Sequence, residues 1–146
     1  MSSTKIEVLE GEIFRDHRGQ IGSLNHFRFD GVRRMYLIRH PDVSVVRAWH
    51  GHRYERKWFY CVQGSFTLAL VRVDRWEEPS PDLVPEIFEL SGQASRIVCV
   101  PAGYANGLKA HEPDSVMLVL SDKILDEALG DSWRYDSSMW VDWHNY

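Results

Sequence analysis

The chain is a succession of short stretches rich in β-branched and aromatic residues, separated by turn residues. In several stretches apolar and polar positions alternate, which predicts strands with one buried face. The predicted strands cover these ranges: Lys5–Phe14, Ile21–Phe29, Val32–Arg39, Val43–His50, Lys57–Asp74, Glu86–Leu90, Arg96–Val100 and Ser115–Leu120. Many short strands with almost no helix predict an all-β sandwich or barrel, and a double-sheet jelly roll fits this pattern.

Turn residues divide the pattern further. The segment Asp16–Gly19 predicts a turn between the first two strands. Gly64 interrupts the longest stretch, which predicts a hairpin between Trp58–Val62 and Phe66–Val71. Only Lys123–Leu129 has a helical pattern, and the glycine that follows is a common helix end. We therefore expect one short C-terminal helix.

Composition places the chain among ordinary globular proteins, with 44% hydrophobic and 26% charged residues in 146. We expect one domain over residues 1–146. A net charge of −4, without a continuous basic face, argues against a nucleic-acid partner. No apolar stretch approaches the roughly 20 residues of a membrane span, and residues 1–7 lack the apolar core of a signal peptide. Without a membrane partner, a cytoplasmic location is expected.

Two smaller features concern packing. Cys61 and Cys99 each lie in an apolar stretch and are interpreted as buried thiols, with a disulfide between them left open. Trp133, Trp140 and Trp143 crowd the C-terminal segment, which indicates that this segment packs against the rest of the protein.

Residues 50–64 carry a chemically suggestive motif: His50 and His52 are followed by a closing glycine, Gly64. The spacing resembles the first metal motif of cupins, except that Lys57 occupies the glutamate position. Cupins have a second metal motif, which corresponds here to Pro101-Ala-Gly-Tyr-Ala-Asn106, and Asn106 occupies the place of its histidine ligand. An ammonium group repels a divalent cation, which prefers carboxylate and neutral imidazole. We therefore predict a cupin without a metal or another cofactor.

A histidine beside a lysine suits acid–base chemistry. A neutral His50 could remove a proton next to a ketone, and the ammonium of Lys57 could stabilise the enolate. The alternative is that His50 belongs to the core and Lys57 points to solvent. Strand alternation places Arg47 and Trp49 on one face and both histidines of the motif on the other, unless a turn breaks the alternation.

Four polar residues have two open interpretations each. Asn106 is a substrate ligand or a turn residue, and Asp74 orients a histidine or is a solvated strand end. Arg18 binds a phosphate or is solvated. Glu55 is expected to be solvated rather than to bind a metal.

Together these motifs resemble the nucleotide-sugar branch of cupins, the dTDP-4-dehydrorhamnose 3,5-epimerases and the dTDP-sugar 3,4-ketoisomerases. The similarity extends from Phe14 to Trp143 and is carried by these segments: Phe14-x-Asp16-x-Arg18-Gly19, Arg47-Ala-Trp-His50, Lys57, Pro101-Ala-Gly-Tyr-Ala-Asn106-Gly, Trp133-Arg-Tyr-Asp136 and Trp140-Val-Asp-Trp143.

The resemblance implies roles for individual residues. It implies that His50 is the base, that Lys57 stabilises the enolate and that Arg47 binds substrate. It also implies that Arg18 contacts the nucleotide phosphates and that Tyr36 lines the pocket, as in the ketoisomerases. A homodimer that exchanges strands is implied as well.

Two departures favour isomerisation over epimerisation. Epimerases carry a tyrosine after the late strand, where this chain has Lys123 or Ile124. They also extend to an aspartate that pairs with the base, whereas this chain ends at Tyr146. A single base can move a proton along one face of a sugar without an opposing acid.

The leading hypothesis is a metal-independent isomerase of a dTDP-linked 4-keto-6-deoxyhexose in deoxysugar or surface-polysaccharide biosynthesis. The alternatives are a dTDP-4-dehydrorhamnose 3,5-epimerase, a sugar-nucleotide binding protein without catalysis, and a metal cupin that uses both histidines and Glu55. The expected catalytic pair is His50 and Lys57. The expected substrate-binding residues are Arg18, Tyr36, Arg47, His52, Asp74 and Asn106.

Overall fold

The computed structural model describes residues 4–146, which form mostly antiparallel strands. The strands are Glu7–Glu10 (β1), Glu12–Asp16 (β2), Gly19–Ser23 (β3), Arg34–Arg39 (β4), Val46–His52 (β5), Lys57–Gln63 (β6), Ser65–Arg72 (β7), Glu86–Ser91 (β8), Arg96–Val100 (β9), Tyr104–Ala110 (β10), Val116–Ser121 (β11) and Trp133–Arg134 (β12). A helix, Leu125–Leu129 (α1), and a 3-10 helix, Trp143–Asn145, complete the chain. The all-β prediction is confirmed.

Two five-stranded sheets face each other. Sheet one has the order β1-β9-β6-β11-β4 and sheet two the order β12-β5-β10-β7-β8. All their strand pairs are antiparallel. Strands β2 and β3 form a separate hairpin outside both sheets. No helix within residues 4–146 is long and apolar enough to cross a membrane. Residues 1–3, part of the segment used for the signal-peptide prediction, lie outside the described residues.

The core lies between the two sheets because alternate residues of facing strands point inward. In sheet one Phe59 and Cys61 of β6 are buried, and in sheet two Phe66, Leu68 and Leu70 of β7 meet them. Burying a side chain of this size contributes about 1.5–3 kcal/mol each. The same alternation directs the first residue of β6, a lysine, toward the interior.

The C-terminal segment covers the outer face of sheet two. Trp49, Val141 and Trp143 form a second buried cluster there. The indole Nε1 of Trp49 donates to the Met139 carbonyl at 2.7 Å, and that of Trp143 donates to the Ser137 carbonyl at 3.0 Å. The prediction that the tryptophan-rich tail packs against the protein is confirmed.

The predicted β6–β7 hairpin is wrong, because these consecutive strands belong to different sheets. Gly64 connects them with φ of 72°, a conformation that favours glycine. A Cβ on Gly64 would lie 2.0 Å from the Ser115 Oγ. The chain therefore crosses from one sheet to the other at a point where only glycine fits.

Other boundaries also differ from the predictions. Strand β10 was not predicted, because its glycine and asparagine interrupt the apolar pattern. The predicted strand Ile21–Phe29 ends at Ser23, and the helix begins at Leu125 rather than Lys123. The helix ends before Gly130 as predicted, and both cysteines are free.

Candidate active site

A cavity of about 690 Å³ opens between the two sheets beside α1. Sheet one contributes residues of β4 and β6 to its wall, and sheet two contributes residues of β5, β10 and β12. The polar and ionisable residues that line it are Arg34, Tyr36, Arg39, Arg47, His50, His52, Glu55, Lys57, Asn106, Ser132 and Arg134.

The cavity brings together most of the residues selected from the sequence. Those that line it are His50, His52, Lys57, Tyr36, Arg47 and Asn106. Asn106 pairs with His50 across β10 and β5, in a regular strand rather than a turn. The structure does not bring Arg18 or Asp74 into this lining.

Arg18 lies in the exposed turn between β2 and β3, where its guanidinium donates to the Asp16 carboxylate at 2.6 Å. Asp74 follows β7, where its Oδ1 accepts from the backbone N–H groups of Arg75 at 2.8 Å and Ser80 at 3.0 Å. It stabilises the loop after β7 instead of approaching a cavity histidine.

The predicted pairing of Arg47 with Trp49 on one face is wrong. Trp49 is buried against the C-terminal segment, whereas Arg47 lines the cavity with His50 and His52. The pairing of β5 with β10 shifts register between Arg47 and His50, so the alternation changes there. A bulge re-aims side chains in this manner, and it places an additional cation at the cavity.

Lys57 is buried and its Nζ donates to the Tyr36 Oη at 2.7 Å. Burial lowers the pKa of Lys57 to about 8, although Glu55 opposes this change. Burial and the charge of Glu55 raise the pKa of Tyr36 to about 12. At neutral pH the cavity therefore holds an ammonium in contact with a protonated phenol, and both can donate hydrogen bonds to a ligand oxygen.

The two histidines of β5 have ring centroids 4.2 Å apart. The Nε2 of His50 lies 2.8 Å from the Ser132 Oγ. Burial, followed by the charges of His52, Lys57 and Arg134, lowers the pKa of His50 to about 3. This imidazole is neutral at pH 7.

His52 lines the cavity and has one ring nitrogen without a hydrogen-bond partner among the described residues. Its Nδ1 lies 3.0 Å from the Glu55 Oε1 and 3.2 Å from the Asp131 carbonyl oxygen. Since both neighbours are acceptors, we assign a proton to Nδ1. Its Nε2 is buried without a hydrogen-bond partner among the described residues. The unshared electron pair of Nε2 is thus available to a ligand.

Glu55 is buried rather than solvated as expected, with only 2% of its surface exposed. Its Oε2 accepts from the Arg34 Nη2 at 2.9 Å and also from the Ser121 hydroxyl. Burial raises the pKa of Glu55, but the His52 ring at 3.0 Å and the charge of Lys57 lower it by more, so that it falls to about 2. The cavity lining therefore includes a buried carboxylate.

Asp131 holds the loop between β5 and β6. Its Oδ1 accepts from the Arg53 N–H at 2.8 Å, and its Oδ2 accepts from the N–H groups of Tyr54 at 2.7 Å and Glu55 at 2.9 Å. The Asp131 side chain is buried, and its carbonyl oxygen faces His52. One residue thus fixes both the loop and the imidazole.

Sequence reasoning missed Asp131, Ser132, Arg34 and Arg134 as parts of the site, and it included Glu55 only in the metal-cupin alternative. Arg134 enters the cavity wall because β12 pairs with β5 opposite His50. The only sequence signal for Arg134 was the resemblance of the C-terminal segment around Trp133 to the epimerases. That resemblance identified the segment but implied no role for its residues. The buried carboxylate had no periodic signal because it lies in a loop.

The donor set does not resemble a metal centre. Within residues 4–146, no group of three or more His, Cys, Asp or Glu side chains is arranged to hold a metal ion. His52 and Glu55 point toward each other instead of toward a common centre. Lys57 adds an ammonium group to the same lining, and a cation there repels a metal ion.

A double-sheet jelly roll with polar residues in its open end defines a cupin-like protein. The chain belongs to the family described as "FdtA: WxcM-like, C-terminal", whose model matches residues 4–138. The resemblance to nucleotide-sugar cupins inferred from the sequence is confirmed at this level. None of the curated protein sequences compared with the chain matches it.

Solved structures with the same fold include sugar-nucleotide enzymes. A histidine-to-asparagine variant of the 3,4-ketoisomerase QdtA from Thermoanaerobacterium thermosaccharolyticum, in complex with TDP-4-keto-6-deoxyglucose, is 20% identical with a TM-score of 0.70, covering 92% of this chain and 90% of that one. The dTDP-4-dehydrorhamnose 3,5-epimerase from Bacillus anthracis is 16% identical with a TM-score of 0.77, covering 96% and 85%. NovW, a 4-keto-6-deoxy sugar epimerase from Streptomyces spheroides, is 20% identical with a TM-score of 0.76, covering 94% and 73%.

Proposed function

We propose that this protein is an isomerase that moves the keto group of a dTDP-linked 4-keto-6-deoxyhexose between neighbouring carbons, without a metal ion or another cofactor. The observation that carries the proposal is the unpartnered Nε2 of His52 in a cavity that also holds Lys57 and Tyr36. A base facing a cation across a cavity is the arrangement that enolisation of a ketone requires.

The proposed reaction begins at the carbon next to the ketone. His52 Nε2 takes the C3 proton, and the electron pair of the C–H bond forms an enolate whose charge collects on the C4 oxygen. The ammonium of Lys57, hydrogen-bonded to Tyr36, stabilises that oxygen. The hydroxyl proton moves from O3 to O4 through this Lys57–Tyr36 pair. The proton on His52 is then delivered to C4, so atoms and charge balance.

The sequence-based hypothesis gave the role of base to His50. The geometry supports His52, because the Nε2 of His50 is already within hydrogen-bond distance of Ser132. His50 then lies beside the base as a neutral group in contact with the sugar. Because His50 is neutral, it does not repel the positive charge that His52 gains during the reaction, although the two rings are in contact.

Charge at the cavity supports an anionic ligand. Arg47 and Arg134 line the cavity, and among residues 4–146 neither has an ion pair with a carboxylate. Guanidinium groups bind phosphate oxygens in a bidentate manner. We propose that these two arginines contact the diphosphate, while Asn106 hydrogen-bonds the sugar.

The decisive experiment follows the proton. The protein is incubated with dTDP-4-keto-6-deoxyglucose in deuterated water, and NMR reports which carbon gains deuterium and which product forms. We expect a 3-keto product that carries deuterium at C4. His52→Asn should abolish both, His50→Asn should slow them, and His144→Asn, at an exposed position, should leave them unchanged. Binding without exchange in the wild type would support a sugar-nucleotide binding protein instead.

A second candidate function is epimerisation. Tyr36 belongs to sheet one, whereas both histidines belong to sheet two, so its hydroxyl approaches the cavity from the opposite wall. An acid on the face opposite the base could deliver a proton with inversion. Retention of the ketone at C4 together with deuterium at C3 or C5 would identify this reaction. Tyr36→Phe should then abolish epimerisation while leaving exchange by the base intact.

We further propose that the chain acts as a homodimer in deoxysugar or surface-polysaccharide biosynthesis in the cytoplasm. The β2–β3 hairpin stands outside both sheets, with Phe14 59% and Ile21 64% exposed. Packed on a second copy, this hairpin would bury these side chains and bring Arg18 toward the partner's cavity. Light scattering should give twice the chain mass, and Phe14→Asp should yield a monomer.

A further inference from the structure

Glu55 has contacts that an ordinary structural carboxylate does not need. It joins a cation at the cavity edge to an imidazole inside it: Arg34 Nη2 lies 2.9 Å from Oε2, and His52 Nδ1 lies 3.0 Å from Oε1. Ser121 donates a further hydrogen bond to Oε2. The result is a continuous chain from Arg34 through Glu55 to His52.

The position of this carboxylate is fixed independently of the histidine. The backbone N–H of Glu55 donates to the Asp131 Oδ2 at 2.9 Å, and Arg34 Nε donates to the Lys123 carbonyl at 3.3 Å. The first contact ties the loop after β5 to the segment around α1, and the second ties β4 to it. A carboxylate held on several sides cannot turn away when its histidine changes charge.

The contacts of His52 leave one ring nitrogen unused. Its Nδ1 lies within hydrogen-bond distance of the Asp131 carbonyl and 3.0 Å from the Glu55 Oε1, an oxygen without a hydrogen-bond partner among the described residues, while its Nε2 is buried and also unpartnered. With only 4% of its surface exposed, His52 has little contact with solvent. A buried imidazole that accepts a proton needs a nearby negative charge to offset it.

We propose that Glu55 is a positioning residue for proton transfer by His52. Its carboxylate keeps the proton of the neutral ring on Nδ1, so that the electron pair of Nε2 points at the substrate. When the substrate C–H bond breaks and its proton bonds to Nε2, Glu55 offsets the charge of the imidazolium. The proton later returns to substrate carbon, and the carboxylate itself is neither protonated nor consumed. The inference rests on the proposed function for the identity of the reaction.

Charged groups around the pair set the balance. Arg34 and Lys57 face Glu55, while His50 and the Asp131 carbonyl face His52. Without Glu55, the cations Arg34 and Lys57 would lose the carboxylate that faces them. The imidazolium would then form beside two cations, which raises the barrier to proton transfer.

The test compares Glu55→Gln with Glu78→Gln, a control at an exposed position in the loop between β7 and β8. Glutamine is isosteric but uncharged. In the exchange reaction we expect Glu55→Gln to lower kcat by about 100-fold, with KM changed by less than about twofold, because the Glu55 side chain has no exposed surface with which to contact a sugar. Glu55→Asp, which retains the charge, should recover part of the lost kcat. The proposal would be overturned if kcat were unchanged, or if the substitution raised KM by about 100-fold and left kcat as in wild type.

A measurement without substrate separates this inference from the proposed function. In ¹⁵N-histidine-labelled protein, a ring N–H that donates to a carboxylate gives a proton resonance far downfield. We expect this resonance in wild type and His50→Asn, and its loss in His52→Asn and Glu55→Gln. Its presence with no deuterium exchange would refute the proposed reaction but keep the pairing. Its persistence in folded Glu55→Gln would refute the pairing.

Discussion

Asp131 supports the loop of the site with three hydrogen bonds, and replacing it by asparagine tests how much that support contributes. The carboxylate accepts the backbone N–H groups of Arg53, Tyr54 and Glu55 at 2.7–2.9 Å, with only 6% of the residue exposed. An asparagine can retain its single oxygen as an acceptor. Its NH₂ group must then face at least one backbone N–H, so that two donors meet.

The expected loss follows from these contacts. A buried donor left without an acceptor costs about 1–3 kcal/mol, and the hydrogen bonds that remain lose the benefit of a charged acceptor. Together these effects should lower the free energy of unfolding by about 3 kcal/mol. Such a loss is a large fraction of the total stability of a domain, which is about 5–15 kcal/mol.

Urea unfolding followed by tryptophan fluorescence at pH 7 measures the change. Asp122→Asn is the matched control, because within residues 4–146 Asp122 accepts only one backbone N–H, that of Arg56 at 2.8 Å. An asparagine oxygen can retain that bond, and the partly exposed ion pair with Arg56 contributes less than about 1 kcal/mol. If Asp131→Asn were no more destabilising than Asp122→Asn, the three amides would be satisfied by other groups and the assigned role would be refuted.

Three further predictions concern other positions. The pKa of Lys57 is about 8 in the folded protein, whereas that of an unfolded lysine is 10.5. Raising the pH from 8 to 10.5 should therefore stabilise wild type relative to Lys57→Met by up to about 3 kcal/mol in urea titrations. A stability difference that stays constant with pH would contradict the burial of the amine. Gly107→Ala would place Cβ 2.6 Å from Trp143 Cζ2 and should cost about 1–3 kcal/mol, whereas Gly130→Ala, with no contact under 3.6 Å, should cost less than about 1 kcal/mol. Burial raises the pKa of both Cys61 and Cys99 to about 11. After treatment with iodoacetamide at pH 8, the intact mass should therefore show two modified thiols only when urea is present. Rapid labelling of the native protein would contradict this prediction, because it would show that the thiols are accessible.

The sequence predicted the type of structure better than its connections. Alternating apolar positions identified most strands, because one face of each strand is buried in any sandwich. The apolar pattern does not identify which strands pair with each other. The sequence therefore predicted that β6 and β7 pair across Gly64, although they lie in different sheets. Strand β10 escaped notice because Gly107 breaks its pattern, and that glycine is required by the contact with Trp143, far away in the sequence.

The candidate site shows the same division. His50, His52 and Lys57 could be selected because they lie close together in one motif, and the structure brings all three to one cavity. Glu55 lies within the same motif but was expected to be solvated. Its burial depends on Asp131, which is 76 residues away, and no local pattern predicts that contact.

The sequence by itself determined an all-β fold, the presence of a histidine-rich motif and the replacement of a metal-ligand carboxylate by a lysine. Each of these depends on residue types and on neighbours within one strand or loop. The tertiary structure decided which ring nitrogen is free, which carboxylate enters the cavity and which cations surround it. Those properties arise where β4, β5, β12 and the segment before β12 meet, because the charge state of a buried group is set by whatever the fold packs against it.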